Sequence, residues 1–510
     1  MSQTFNFPTN RRIDIACLGR LAVDLYAQQF GSRLEDARSM SMYLGGSSAN
    51  LAFGVARLGL KSAMISRVGN EQMGRFLTES LQQEGCDTSQ VQVDAERLTA
   101  LVLLGLKDKD TFPLLFVREN CADMAVDASL IDELFIASCR SLAITGTHLS
   151  TPVTRKASMA ALAHAKRHNV IRVLDIDYRP VLWGLTSRGA GENRYVADAH
   201  VTKQLQEVLP EFDLLVGTEE EFFIAGGASG TGVDDLIASL RVVRGLSKAT
   251  LVVKRGSLGC CVIEGEIPAN INDAPTYKGE NVEVLNVLGA GDAFLSGLMA
   301  SLLQGKTLAE STQVANACGA IVVSRHACSA AMPTPAELMH WFGGSRNPKV
   351  DADQQLAHLH RVTAARPDWN ELCVMAFDHR SQFFDMVREA RESGVKETSE
   401  SRIPALKKLL VKAAEQVETS HNMQGHTGVL IDGGAYGADA LASATGRGWW
   451  VGRPVELPGS RPLRFDGTRS VGSALIHWPT EQVVKCLVHY HPDDAFELRL
   501  EQEQKVLELW

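Results

Sequence analysis

The sequence predicts an α/β protein: a large sheet layered between helices, interrupted by a β-hairpin and followed by a partial (β/α) barrel-like domain. Three observations carry that expectation. Short apolar runs that end in glycine or charged residues alternate with longer helical patterns. Residues 98–106 and 112–117 are two apolar runs joined by Lys107-Asp108-Lys109-Asp110, a hairpin inside a chain otherwise built from crossovers. Beyond a glycine- and proline-containing stretch at 343–350, further apolar runs end in charged residues, as the strands of barrel units do.

The totals bound the class. A chain of 510 residues with 45% apolar and 22% charged residues reads as globular, with more than one domain. A net charge of −9 argues against a nucleic-acid partner or an anionic membrane surface. No apolar run approaches a membrane span, and residues 1–12 lack the apolar core of a signal peptide. The expected compartment is therefore the cytoplasm. The ten cysteines agree: most sit in apolar stretches, and none has metal-ligand or redox-motif spacing.

Taken in order, residues 13–19 form a first strand, followed by a segment carrying Asp24. Gly45-Gly46 with Asn50 then opens a helical pattern that ends at Gly59. A strand at 63–66, the turn Val68-Gly69-Asn70 and a helix to Gly85 come next. The hairpin follows; it is either a sheet edge or a lid, and its place between the first glycine loop and the later units favours a lid. Strands at 141–146, 170–176, 214–216 and 251–253 alternate with helices, and charged residues cluster at their carboxyl ends. These include Asp175, Asp177 and Arg179, then Glu219 to Glu221, then Lys254 and Gly256. Ligands in open α/β sheets bind at such ends. The helical pattern at 308–323 is rich in small residues, which serve either close packing or the wall of a purine pocket.

The chain is organised around Gly289-Ala290-Gly291-Asp292, between a strand-like run at 282–285 and an apolar helix at 294–303. The glycines either shape a tight turn with Asp292 as a cap, or form an anion hole. In the second case backbone N–H groups and the helix dipole hold developing phosphoryl charge while Asp292 takes a hydroxyl proton. The upstream glycine cluster favours the second reading.

In that order and spacing, Gly45-Gly46 with Asn50, Val68-Gly69 with Gly74, and Gly289-Ala290-Gly291-Asp292 resemble the signatures of the ribokinase-like carbohydrate kinases. The resemblance covers residues 13 to about 335. The stretches Asp175-Ile176-Asp177-Tyr178-Arg179, Gly217-Thr218-Glu219-Glu220-Glu221 and Leu285-Asn286-Val287-Leu288 are most like the branch acting on 5-dehydro-2-deoxygluconate in inositol breakdown. Kinases of 2-keto-3-deoxygluconate share Tyr178-Arg179-Pro180. The resemblance implies a three-layer ribokinase-like sandwich with a hairpin lid, and ATP-dependent phosphorylation of a sugar-acid hydroxyl with Mg2+. Asp292 would be the base, with Gly289, Ala290 and Gly291 as the anion hole. Asp24, Gly45, Gly46 and Asn50 would contact the sugar, and Arg118 and Arg179 would clamp its carboxylate. Lys254, Gly256, Gly259 and Asn316 would surround ATP, and Glu221 would organise magnesium. A homodimer or higher homo-oligomer, joined lid to lid, is the expected assembly.

Four positions depart from the family pattern. Thr218 stands for the usual Asn of the magnesium motif, and Asn286-Val287 for an Asp-Thr pair tied to potassium. Asp177 stands for Asn. Thr218 and Asn286 leave room for a non-catalytic sugar or nucleotide sensor, against which the intact Asp292 argues.

The expected domains are a kinase domain over 1–342, a linker over 343–350 and an aldolase-like (β/α) domain over 351–510. The last holds about four units, so it is expected to be a truncated barrel. Lys485 reads as a structural or phosphate-binding lysine, and no aldolase activity is expected.

Overall fold

Apolar residues on both faces of successive strands decide the architecture. In a computed structural model describing residues 5–510 except 107–111, 190, 192, 345, 365–370, 396–398, 468–469, 476–477 and 480–481, the chain divides into two units, Met1–Arg366 and Pro367–Trp510.

The first unit's strands are β1 (Ile13–Leu18), β2 (Ala22–Ala27), β3 (Met40–Gly45), β4 (Ser62–Gly69), β5 (Asp87–Asp94), β6 (Ala100–Leu104) and β7 (Leu114–Val117). They continue with β8 (Cys139–Thr145), β9 (Ile171–Asp175), β10 (Leu214–Thr218), β11 (Thr250–Lys254), β12 (Cys260–Ile263) and β13 (Thr276–Tyr277). The main sheet runs β13-β12-β11-β10-β9-β8-β1-β4-β5, parallel except where β12 pairs with β11 and β13. Ile15, Cys17, Val173, Val216 and Val252 point into one core with helices Ser47–Arg57, Ala290–Leu303 and Leu308–Val323. Ala16, Leu18, Leu174, Leu215 and Val253 point into the other, with helices Pro152–Arg167, Glu219–Gly226 and Val233–Leu246. A parallel sheet buried on both faces needs this doubly apolar pattern, and it makes three layers.

The small residues at 308–323 serve helix packing. A Cβ on Gly297 would lie 2.8 Å from the Cys318 sulfur and 3.0 Å from the Ala315 Cα, so only glycine lets the two helices come this close.

The hairpin is part of a larger lid. β6 and β7 pair antiparallel as expected, and their joining turn at Lys107 to Asp110 lies outside the described residues. The lid sheet runs β3-β2-β6-β7, with β2 parallel to β6. The pleat puts Tyr43, Asp24, Val102 and Phe116 in one row and Met42, Leu25, Leu103 and Leu115 in the opposite one.

Two expectations differ from what is observed. The run 282–285 forms no strand and belongs to no sheet among the described residues. Glu283 N–H donates to the Pro348 carbonyl, while those of Leu285 and Asn286 both donate to Val323. The boundary also moves: the expected second domain opens at 351, whereas the first unit reaches Arg366, because Val350 and Leu356 are buried in its core.

The second unit has four parallel strands in sequence order: β14 (Cys373–Ala376), β15 (Thr427–Leu430), β16 (Trp450–Pro454) and β17 (Gln482–Lys485). Helices Ser381–Glu392, Ile403–His421 and Ala438–Ala444 contribute to a core around Phe377, Val429, Trp449 and Val451. Among them Lys407 is fully buried, paired with Asp432 beneath the Phe383 ring.

Candidate active site

Two glycine turns bring the chemistry together. Gly46, at φ +96°, starts helix Ser47–Arg57 and places Asn50 on its first turn. Gly289, at φ +75°, starts helix Ala290–Leu303 and places Asp292 on its first turn. A Cβ at Gly289 would sit 2.2 Å from the Cys328 sulfur, so the turn needs glycine for both space and dihedral. The capping alternative for Asp292 fails. Gly289 has no side-chain cap, and the Asp292 carboxylate instead accepts a hydrogen bond from Asn50 Nδ2 at 2.7 Å. The first-turn amides are thus left without a capping side chain.

Two cavities meet at Asp292. A smaller one, about 80 Å3, is lined by Arg20, Asp24, Gly46, Ser47, Asn50, Asp177, Arg179, Arg194, Gly289 and Asp292, with Tyr26, Val102, Leu104, Leu114 and Phe116 from the lid. A larger one, about 470 Å3, is lined by Asp175, Asp177, Arg179, Arg194, residues 218–221, Lys254, Arg255, Gly256 and residues 287–292. Asp177, Arg179, Arg194, Leu288, Gly289 and Asp292 line both. A small polar chamber under a lid thus opens, past one carboxylate, into a longer basin of mixed charge.

Burial, joined by the negative charge of Asp177, pushes the Asp292 carboxyl up to about 6, against the Asn50 hydrogen bond and the Arg179 and Lys254 charges. Burial and the Asp292 charge push Asp24 up to about 7. A base with such a value is ionised near neutrality yet basic enough to take a hydroxyl proton. Burial works against the Lys254 charge, but Asp175 at 2.9 Å and Glu221 at 3.8 Å hold its ammonium above the usual range. Burial likewise opposes the Asp177 charge, but Arg179 at 3.3 Å keeps that carboxyl below its ordinary value.

The donor set suits a hydrated Mg2+. Asp175, Asp177 and Glu221 offer only oxygen, and Asp177 Oδ2 is buried without a hydrogen-bond partner among the described residues. Among the described residues no three acidic, His or Cys side chains lie together as a metal cluster. Glu221 also closes a capping box with Thr218: its carboxylate accepts the Thr218 N–H at 2.7 Å. Asn286, fully buried, accepts the Leu288 N–H at 3.0 Å and donates to the Arg325 carbonyl, bracing the turn before Gly289.

Four expected site residues line neither cavity. Arg118 is buried in an ion pair with Asp123, captured by a carboxylate five residues along the chain. Gly45 acts through Asp24, since a Cβ there would lie 2.1 Å from that carboxylate. Gly259 allows a close backbone crossing, its Cβ position falling 2.0 Å from the Tyr277 carbonyl. Asn316 donates to the Tyr277 and Lys278 carbonyls at 3.1 and 3.0 Å. The sequence reading missed Arg20 and Arg194. Arg20 lies just past the end of β1 with its guanidinium 5.1 Å from the Phe116 ring centre and its Nε without a partner among the described residues. Burial and the neighbouring Arg118 bring its pKa down to about 10. Its position beyond a strand's carboxyl end was a usable signal. Arg194, in the irregular stretch before helix Ala199–Gln206, carried none.

A layered sheet, a strand-built lid and an acid between paired helix starts define a carbohydrate kinase. The family described as pfkB family carbohydrate kinase matches residues 12–335, and the chain belongs to it. It is a phosphotransferase acting on a sugar hydroxyl. A 5-dehydro-2-deoxygluconokinase 1 of Bacillus cereus is 32% identical over 336 residues, covering 65% of this chain and 95% of that protein. A 5-dehydro-2-deoxygluconokinase of Bacillus velezensis is also 32% identical, over 340 residues, covering 66% of this chain and 96% of that protein. The structure of an uncharacterized sugar kinase from Pyrococcus horikoshii in complex with ATP superposes with a TM-score of 0.52 at 26% identity, covering 64% of this chain and 97% of that one. Residues 337–510 match a family described as an uncharacterized protein conserved in bacteria (DUF2090). No described helix is long and apolar enough to cross a membrane.

Proposed function

We propose that the protein is an ATP- and Mg2+-dependent kinase that phosphorylates the primary hydroxyl of 5-dehydro-2-deoxy-D-gluconate in myo-inositol catabolism. The observation that carries this reading is the small chamber in which Asp292 faces Asn50 and Asp24 beside the guanidinium groups of Arg20, Arg179 and Arg194. The chamber sets three guanidinium groups against the carboxylates of Asp24, Asp177 and Asp292, with Arg179 paired to Asp177, and the guanidinium groups of Arg20 and Arg194 are the ones that suit a sugar carboxylate. The relatives named for that substrate support the same choice.

In the mechanism, Asp24 and Asn50 bind the sugar hydroxyls and the arginines hold its carboxylate. ATP lies in the larger cavity, its phosphates toward Lys254, Gly256 and the amides of Ala290 and Gly291. Asp292 takes the proton of the primary hydroxyl as that oxygen bonds to the γ-phosphorus and the bond to the β-phosphate oxygen breaks. The amides at the helix start hold the charge on the phosphoryl oxygens in flight. Mg2+, held through water by Glu221, Asp175 and Asp177, would neutralise triphosphate charge.

The lid offers exposed Met42, Leu115 and Val117, which supports lid-to-lid self-association. The reading places the protein in the cytoplasm, where ATP is found.

The test is ADP release with ATP and a panel of sugars. The expected result is highest kcat/KM for 5-dehydro-2-deoxygluconate. Higher values for 2-keto-3-deoxygluconate would reassign the substrate, and a preference for fructose or ribose would refute the acidic-sugar reading. Sugar binding without ADP release from any of them would indicate a sensor.

A further inference from the structure

Segment 325–332, just beyond helix Leu308–Val323, is tied to both glycine turns and to the lid. Asn286, in the turn before Gly289, donates to its Arg325 carbonyl at 2.9 Å. Ser329 Oγ donates to the Leu44 carbonyl at 2.8 Å, two residues before Gly46. Arg57, at the far end of the helix that Gly46 starts, donates to the carbonyls of Ala330 and Met332 at 3.1 and 3.2 Å. The His326 ring meets those of Tyr26 on β2 and Tyr43 on β3 edge to face, with centroids 5.1 and 5.9 Å away. Between these anchors Ala327 takes φ +69°, a left-handed conformation that is costly for a residue with a Cβ. That turn delivers Cys328, 3% exposed, to the wall of the small chamber.

We propose, resting on the kinase reading above, that Cys328 is a positioning residue: with Asn50 it holds the Asp292 carboxylate so that Oδ1 is the oxygen that takes the acceptor's proton. The two donors meet the same atom. Asn50 Nδ2 donates to Asp292 Oδ2 at 2.7 Å, and the Cys328 thiol donates to it with the sulfur at 3.7 Å. Among the described residues no hydrogen bond reaches Oδ1. A carboxylate held at one oxygen from two directions does not pivot freely, and its other oxygen keeps its full acceptor capacity. In the transfer, the acceptor hydroxyl gives its proton to Oδ1 while its oxygen bonds to the γ-phosphorus and the bond to the β-phosphate oxygen breaks.

The thiol suits this task because it can only donate here. Burial and the negative charges of Asp292 and Asp24 push its pKa well above the ordinary range, so it remains S–H beside an ionised base. A thiol is a weak donor, so it restrains Oδ2 without taking much basicity from the carboxylate. Its sulfur also fills the space that a Cβ on Gly289 would need, which fixes it against the turn that starts the Asp292 helix. The charged groups around Asp292 are Asp24 on β2, Asp177 and Arg179 beyond β9, and Lys254 at the end of β11. A substitution at Cys328 leaves all of them in place.

The test combines two measurements on the full chain. Infrared difference spectra, parent minus Cys328→Ser, isolate the S–H stretch of this thiol and need no sugar. The expected band is lowered by hydrogen bonding and moves as pH falls through about 6, where Asp292 gains its proton. The same difference taken in an Asp292→Asn background should not move with pH. Kinetics then use the sugar that turns over best. Cys328→Ala should lower kcat about two- to fivefold and raise the acid limb of kcat/KM by about half a pH unit, because the carboxylate loses a donor. KM for ATP should hold. Cys328→Ser keeps a donor in nearly the same shape and should return the limb to the parent value or below it. An unmoved limb in Cys328→Ala, or Cys328→Ser no better than Cys328→Ala, would reduce Cys328 to packing. Turnover with a free or pH-indifferent S–H band would overturn the proposal alone. No ADP release from any sugar would refute the kinase reading and, with it, any role in transfer.

Discussion

Asn50 and Asp292 are 242 residues apart in the chain, yet the Asn50 amide donates to the Asp292 carboxylate at 2.7 Å. Each lies on the first turn of a helix begun by a positive-φ glycine, so two turn geometries aim one contact. Replacing Asp292 by Asn keeps the shape and removes the base. ATP turnover should fall by roughly 100- to 10,000-fold. Calorimetry should find the sugar affinity changed only a few-fold, by about 1 kcal/mol at most. Turnover at the parent rate would remove Asp292 from the chemistry.

Arg20 tests the acidic-substrate reading, because its guanidinium lines the small chamber with Nε lacking a partner among the described residues. Arg20→Met should raise KM for the sugar acid by about 10- to 100-fold, the loss of a buried charge-assisted contact. A neutral sugar that turns over slowly should keep its KM. Equal losses for both substrates would mean that Arg20 only supports the fold.

The pH dependence has two parts with opposite consequences. Asp292, pushed up to about 6, must be ionised to accept a proton, so kcat/KM should fall about tenfold per unit below that value. Stability moves the other way. Asp24 and Asp292 rise from 3.8 to about 7 and about 6, so folding favours their protonated forms. Their contribution to stability is complete below the unfolded value near 3.8 and is lost as pH rises through 6 to 7. Asp24→Asn should therefore raise Tm at about pH 8, by roughly 1–3 kcal/mol of stability, and lose that advantage near pH 4. It should also weaken sugar binding. A Tm gain equal at both pH values would show that charge is not the cause.

Glu221 separates a structural from an electrostatic role. Glu221→Gln can still close the capping box with Thr218, so the melting transition should shift by less than about 1 kcal/mol. Removing the charge should raise the Mg2+ concentration for half-maximal activity by about tenfold. Unchanged Mg2+ activation would leave Glu221 as a cap only.

Much of this candidate site was legible because its chemistry sits at glycine turns that open helices, where glycine, the helix start and the functional side chain are sequence neighbours. Asp292 with Gly289, and Asn50 with Gly46, are of that kind. Arg118 misled because leaving a hairpin says nothing of which carboxylate captures the guanidinium, and Asp123 does. Arg194 was invisible because it enters from an irregular stretch. The run 282–285 has a strand's composition, but its N–H groups meet Pro348 and Val323 in place of a sheet neighbour. β2 was hidden behind β1, separated from it only by Gly19, Arg20 and Leu21, and so the lid read as two strands where it has four.

That short separation has a catalytic consequence. Asp24 stands on β2 and Phe116 on β7 of the same small sheet, so on the proposed mechanism one element carries both the group that holds the acceptor and a wall of the chamber. A substitution that displaces this sheet should therefore disturb acceptor binding and the exclusion of solvent together.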